Sequence, residues 1–67
     1  MSNALMDAPV RITVQQFAER EGIPLSTARW WITTGYGPPS YRFGKYRVMD
    51  LADVLQWEAD IKERDVR

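Results

Sequence analysis

The sequence predicts a mainly α domain carrying one small β-hairpin, and three observations support that expectation. Apolar residues recur at helical spacing in three separate stretches, around Phe17, around Ala28 and around Val54. Gly22, Pro24 and Gly35 sit at the ends of the first two stretches, where left-handed caps and first-turn prolines belong. Two short β-prone runs flank a Gly44-Lys45 pair, the pattern of a two-residue hairpin turn.

Sixty-seven residues allow a single small domain, and a chain of this size buries only about 60% of the surface its unfolded form exposes. Three Trp, three Tyr and two Phe among 45% apolar residues are expected to supply the packing that small size withholds. There is no cysteine and no histidine, which removes disulfides, the usual zinc ligands and any Cys/His or Ser/His nucleophile pair. The isolated Ser and Tyr residues lack an identifiable base and no phosphate-binding glycine loop is present, so neither enzyme activity nor a metal or cofactor is expected. No apolar run reaches the roughly 18 residues of a membrane span, and the N-terminus lacks the basic-then-apolar pattern of a signal peptide. A soluble intracellular protein with no membrane partner is the expectation.

Residues 1–10 mix small and polar side chains without a period and are expected to form a flexible leader. The folded domain is expected over residues 11–61. Thr13 can cap the first helix with its hydroxyl, and Gln16, three residues on, can reach back as its capping-box partner. Val14, Phe17 and Ala18 then form an apolar stripe, and Gly22 ends the helix. Only Ile23 and Pro24 separate that glycine from the next helix. So short a link forces two helices to cross steeply over a shared core, the helix-turn-helix shape.

The second helix is expected to stop at Gly35, after about two and a half turns. Leu25, Ala28, Trp31 and Ile32 share one side, while Ser26, Trp30 and Thr33 point the other way with Arg29 on the flank. Tyr36-Gly37-Pro38-Pro39 cannot continue a helix, because proline lacks the donor and restricts its predecessor. Tyr41-Arg42-Phe43 and Tyr46-Arg47-Val48 become the strands of a wing. Their alternation is expected to send some aromatic and apolar side chains inward and to leave Arg42, Lys45 and Arg47 near the rim.

Asp50 is expected to cap the last helix, with Asp53 in its first turn and Leu51, Val54, Leu55 and Ile61 facing inward. Glu58 falls inside the same arc, so either the helix has left the core by then or a base pairs with the carboxylate. Trp57 lies at the edge of the arc, as a cap on the core or, with Ile61, as a contact surface for a partner. Residues 62–67 are charged at nearly every position and are expected to fray as a tail.

Net charge is zero, but it is unevenly spread. From Gly22 to Met49 there is no acid and there are four bases, Arg29, Arg42, Lys45 and Arg47, whereas residues 1–21 carry a net −1 and residues 50–67 a net −3. Such polarity suits a basic surface for phosphate with acidic helices turned away.

Ile12-Thr13-Val14-Gln15-Gln16-Phe17-Ala18, Gly22-Ile23-Pro24-Leu25-Ser26-Thr27-Ala28-Arg29, the Gly44-Lys45-Tyr46-Arg47-Val48 turn and strand, and Asp50-Leu51 occur in a telling order. Together they resemble the small winged helix-turn-helix domain of the MerR-like superfamily, and within it the excisionases, or recombination directionality factors, of phages and other mobile elements. The resemblance covers Arg11 to roughly Glu58 and implies three helices plus a wing. It implies that the second helix enters the DNA major groove and that the wing grips backbone or minor groove nearby. Carried over position by position, Ser26, Thr27, Arg29 and Trp30 face DNA from the helix, joined by outward-pointing Thr33, with Arg42, Lys45 and Arg47 in or beside the wing. Two positions depart from the family pattern: Pro24 stands where Ser or Thr is common, and Trp30 where a base is common. The long coiled-coil helix and effector domain of full MerR regulators are absent, so no ligand sensing is implied.

The function implied is that of a sequence-specific architectural DNA-binding protein in the bacterial cytoplasm, controlling the direction of site-specific recombination by cooperative binding and bending. Three to four phosphate contacts from one copy give a salt slope of roughly −3 to −4, too shallow for tight binding alone. Further copies on adjacent sites, or an integrase or other recombinase touching Trp57 and Ile61, would supply the remainder. Two other readings use the same residues. One is a small transcriptional repressor; the other is a protein-interaction module in which Trp30 and Trp57 anchor a partner and the basic middle meets an acidic surface.

Overall fold

Thr13 sets the start of the first helix through the reciprocal pair expected of it. Its Oγ1 accepts from the Gln16 N–H at 3.1 Å and its own N–H donates to Gln16 Oε1 at 2.8 Å. The computed structural model describes residues 10–65 and resolves them into β1 (Arg11–Thr13), α1 (Val14–Glu21), α2 (Leu25–Thr34), β2 (Tyr41–Phe43), β3 (Tyr46–Asp50) and α3 (Leu51–Asp65). The fold is thus three helices and a three-stranded antiparallel sheet of order β1-β3-β2. Gly22 ends α1 at φ 70°, with its N–H donating to Glu19 O and the Ile23 N–H to Ala18 O at 3.0 Å. That double bond pattern turns the chain sharply while satisfying two orphan carbonyls. Pro24 takes the position before α2, with extended ψ, one residue earlier than a first-turn proline.

Strand β1 is the element that local patterning does not reveal. Three residues, Arg-Ile-Thr, carry almost no period of their own and become a strand by pairing Arg11 with Asp50, Ile12 with Met49 and Thr13 with Val48. The expected leader lies outside the described residues except for Val10, whose carbonyl accepts from the Leu51 N–H at 2.7 Å and ties the start of the domain to the start of α3. Within the charged stretch from Lys62 onward, α3 continues as helix to Asp65; residues 66–67 lie outside the described residues.

The hairpin has the expected register, Tyr41 opposite Val48, Arg42 opposite Arg47 and Phe43 opposite Tyr46. Within the turn Gly44 has positive φ (65°) and Lys45 does not, the sign pattern of a type II′ turn, since type I′ needs the second turn residue positive as well. Of the hairpin's aromatic and apolar side chains, Val48 is buried and Tyr41 half-buried, whereas Phe43 and Tyr46 at the tip are exposed. What the strands bury is Val48 and Met49. On the outer sheet face, Arg11 Nε donates to the Tyr41 hydroxyl at 2.8 Å, and that hydroxyl donates to Asp50 Oδ1 at 2.6 Å. The Asp50 carboxylate holds the phenolic proton and pushes the Tyr41 pKa up. Asp50 precedes α3 as expected of a cap, but its carboxylate is engaged by Tyr41.

The core is Phe17, Ala18, Ala28, Met49 and Val54, surrounded by half-buried Ile12, Val14, Ile23, Leu25, Trp31, Ile32, Leu51 and Trp57. Trp57 caps it. Its ring meets Phe17, Trp31 and Tyr36 at centroid distances of 5.6, 5.8 and 6.0 Å, and its Nε1–H donates to the Tyr36 carbonyl at 2.8 Å. The indole therefore takes the first of its two expected places, as a cap on the core, and Ile61 is half-buried four residues on. Leu55, expected inside, is 48% exposed. On a helical wheel it lies about 100° from the centre of the arc that Leu51, Val54, Trp57, Glu58 and Ile61 define.

Glu58 is inside that arc because a base meets it. Arg20 Nε and a terminal guanidinium nitrogen donate to the two Glu58 oxygens at 2.8 and 2.9 Å, clamping α1 to α3. These bonds, then the one from Glu21, lower the Glu58 pKa to about 2. Burial, then hydrogen bonding to Glu58, raises Glu21 to about 7. Glu21 Oε2 is buried without a hydrogen-bond partner, which adds to the cost of the charged form. Because the folded state favours protonated Glu21, its contribution to stability is complete below pH 4.5 and is lost as the pH rises through about 7. Glu58 acts in the opposite sense, stabilising above pH 4.5 and ceasing to as the pH falls through about 2. The melting temperature is expected to fall between pH 5 and pH 8, and Glu21→Gln, which keeps a donor at every pH, to flatten that fall. Equal slopes in thermal melts of the two proteins would remove Glu21 as the cause.

Candidate nucleic-acid interface

The short Gly22–Pro24 link crosses α1 and α2 so that the start of α1, one side of α2 and the hairpin enclose a common hollow. It is an open groove of about 820 Å³, floored by Val14, Leu25 and Ile32. Thr13 and Gln15 line it from α1, Arg29 and Thr33 from α2, and Lys45, Tyr46 and Arg47 from the hairpin. The apolar floor keeps the walls apart, because Leu25 and Ile32 also pack on the core and cannot rotate away. The N-terminal end of α1 opens on the same hollow and adds the positive end of its dipole.

Eight positions carry the sequence-based site, and four of them, Arg29, Thr33, Lys45 and Arg47, line this groove. The others lie elsewhere. Arg29 and Thr33 stand one turn apart on the groove side of α2, whereas Ser26 and Trp30 are exposed on the shoulder beyond it. Arg29, expected on the flank of the outward face of α2, thus lines the groove together with Thr33. Thr27 is half-buried and sits about 160° around the helix from Arg29, so the two cannot meet one flat surface. Arg42 is exposed and stands directly opposite Arg47 in the hairpin. Gln15 and Tyr46 are groove residues that the sequence reading leaves out. The Thr13 cap was a usable signal for Gln15, since a helix start beside a turn exposes its second residue; nothing local singles out Tyr46.

Charge gives the groove its character. Among the described residues the ion pairs join Arg20 to Glu21 and Glu58, so Arg29, Arg42, Lys45 and Arg47 pair with no carboxylate. Arg47 instead donates to Ser40 Oγ at 3.0 Å, which aims its guanidinium while leaving its charge uncompensated. Arg42 opposite Arg47 is a like-charge cross-strand pair, an arrangement that costs stability unless an anion lies between. No acid lines the groove. Cations at fixed spacing beside a hydroxyl and an amide can hold phosphate oxygens and donate to or accept from base edges.

Among the described residues no group of carboxylates could hold a metal ion, and no helix is long and apolar enough to cross a membrane. No protein-family model, curated protein or solved structure matches the chain.

Proposed function

We propose that the chain is a winged helix-turn-helix, with α1 and α2 as the helix pair and the β2–β3 hairpin as the wing, and that it binds double-stranded DNA without catalysis. The observation that carries this reading is the acid-free groove that gathers Arg29, Lys45 and Arg47, none of them neutralised by a carboxylate. In this reading α2 presents Arg29 and Thr33 to base edges in the major groove, and the wing sets Arg42, Lys45 and Arg47 on flanking phosphates.

The job proposed is that of an excisionase, an architectural factor that directs site-specific recombination in a bacterial cell. One domain with a few phosphate contacts binds weakly alone, which favours cooperative loading on tandem sites and contact with a recombinase. Gel-shift titration and footprinting on tandem and isolated sites test this, together with an integrase-driven excision assay. Cooperative occupancy of tandem sites and stimulated excision are the expected results. A single complex on one isolated site, without bending and without effect on excision, would instead favour a small transcriptional repressor. Absence of binding to any duplex at low salt would favour a protein-interaction module.

A further inference from the structure

The hairpin tip is built in an unusual way for a solvated turn. Phe43 and Tyr46 stand opposite each other across Gly44-Lys45 and are 55% and 63% exposed. The Arg11 guanidinium lies over the Phe43 ring at 4.3 Å, reaching it from β1 at the opposite edge of the sheet. Lys45 lies between the rings in the turn, Arg42 and Arg47 form the next pair inward, and no acid occurs from Tyr36 to Met49. Two exposed rings at the tip, with Arg11 against one of them, Lys45 in the turn and Arg42 and Arg47 on the opposite face of the next pair, are complementary to a polyanion that also offers flat apolar surfaces to stack on, and duplex DNA is such a partner.

We propose that Phe43 and Tyr46 form a wedge that enters the minor groove and inserts at a base step, unstacking it and bending the duplex. The inference rests on the duplex-binding reading above. A minor groove is about 6 Å wide, and paired strands are already about 4.8 Å apart before side chains are added. The hairpin can therefore enter only by its tip, where Phe43 and Tyr46 are the pair that closes the turn. Apolar side chains inserted there kink DNA towards the major groove, at least cost where a pyrimidine–purine step is easily unstacked. The wedge supplies bending that the phosphate contacts of Arg42 and Arg47 cannot produce, and it selects a deformable step without reading a base edge.

The test uses the full chain and a duplex of roughly 24 base pairs with a central TA step, carrying 2-aminopurine at that step or a fluorophore pair at its ends. Wild type is expected to brighten the 2-aminopurine and bring the ends together. Phe43→Ser with Tyr46→Ser is expected to abolish both signals and to weaken binding roughly tenfold. Phe43→Leu with Tyr46→Leu, which keeps apolar bulk but no ring, is expected to retain most of the bend. Circular dichroism checks that both variants remain folded. Wild-type binding without brightening or bending overturns the wedge but leaves DNA binding standing, as does a serine variant that bends like wild type. A leucine variant that behaves like the serine variant, together with preference for single strands, overturns it in favour of base stacking on unpaired nucleotides. Failure of wild type to bind the duplex at low salt overturns the DNA reading itself.

Discussion

Phe17→Ala and Trp31→Ala are each expected to cost about 3–5 kcal/mol, comparable to the entire stability of a domain this small. Phe17 is fully buried, and its ring meets Trp31 edge-on at 6.5 Å and Trp57 at 5.6 Å. Trp31 in turn packs on Tyr36 at 5.0 Å and Trp57 at 5.8 Å. Removing either ring opens a cavity at the junction of all three helices, and no disulfide can compensate, since the chain has no cysteine. Trp30→Ala, one residue along, should change stability by less than about 0.5 kcal/mol, because Trp30 is 64% exposed. Urea titration followed by circular dichroism compares the variants without relying on the tryptophans that are being removed. Equal losses for Trp30 and Trp31 would mean that α2 presents a different face to the core.

The two tryptophans also show what local patterning can reach. Helical period alone separates Trp31 from Trp30, and cap chemistry alone places Thr13 with Gln16 and ends α1 at Gly22, because these are interactions over three or four residues. The Arg20–Glu58 clamp was legible only as a requirement: a carboxylate inside an apolar arc needs a base, but which base depends on how α1 meets α3. Strand β1 was not legible, since its partner β3 lies more than thirty residues on and supplies the ladder that makes Arg11–Thr13 a strand. The groove was half legible. Charge segregation singles out Arg29, Lys45 and Arg47, but the crossing of α1 on α2 decides that Gln15 joins them and that Ser26, Thr27, Trp30 and Arg42 do not. Tyr46 and Phe43 follow strand alternation, and which face of a three-residue strand is outward is set by what packs beneath it.

Replacing Arg29, Lys45 and Arg47 together by alanine is expected to remove most duplex binding while leaving the fold intact, because all three are exposed and pair with no carboxylate. The single variants should divide the work. Arg47→Ala should weaken binding to every sequence about equally and flatten the salt slope by about one unit. Arg29→Ala, if the guanidinium meets a base edge, should cost about 1–3 kcal/mol on the preferred site and little on random DNA.

The most direct measurement is the dependence of duplex affinity on salt concentration for the wild type and the triple variant, by fluorescence anisotropy on one labelled duplex. A logarithmic slope of roughly −3 to −4 for the wild type, reduced by about two units in the variant as the phosphate contacts of Lys45 and Arg47 are lost, is the result that this reading predicts. No wild-type binding at low salt, or a slope that the triple variant leaves unchanged, would contradict it.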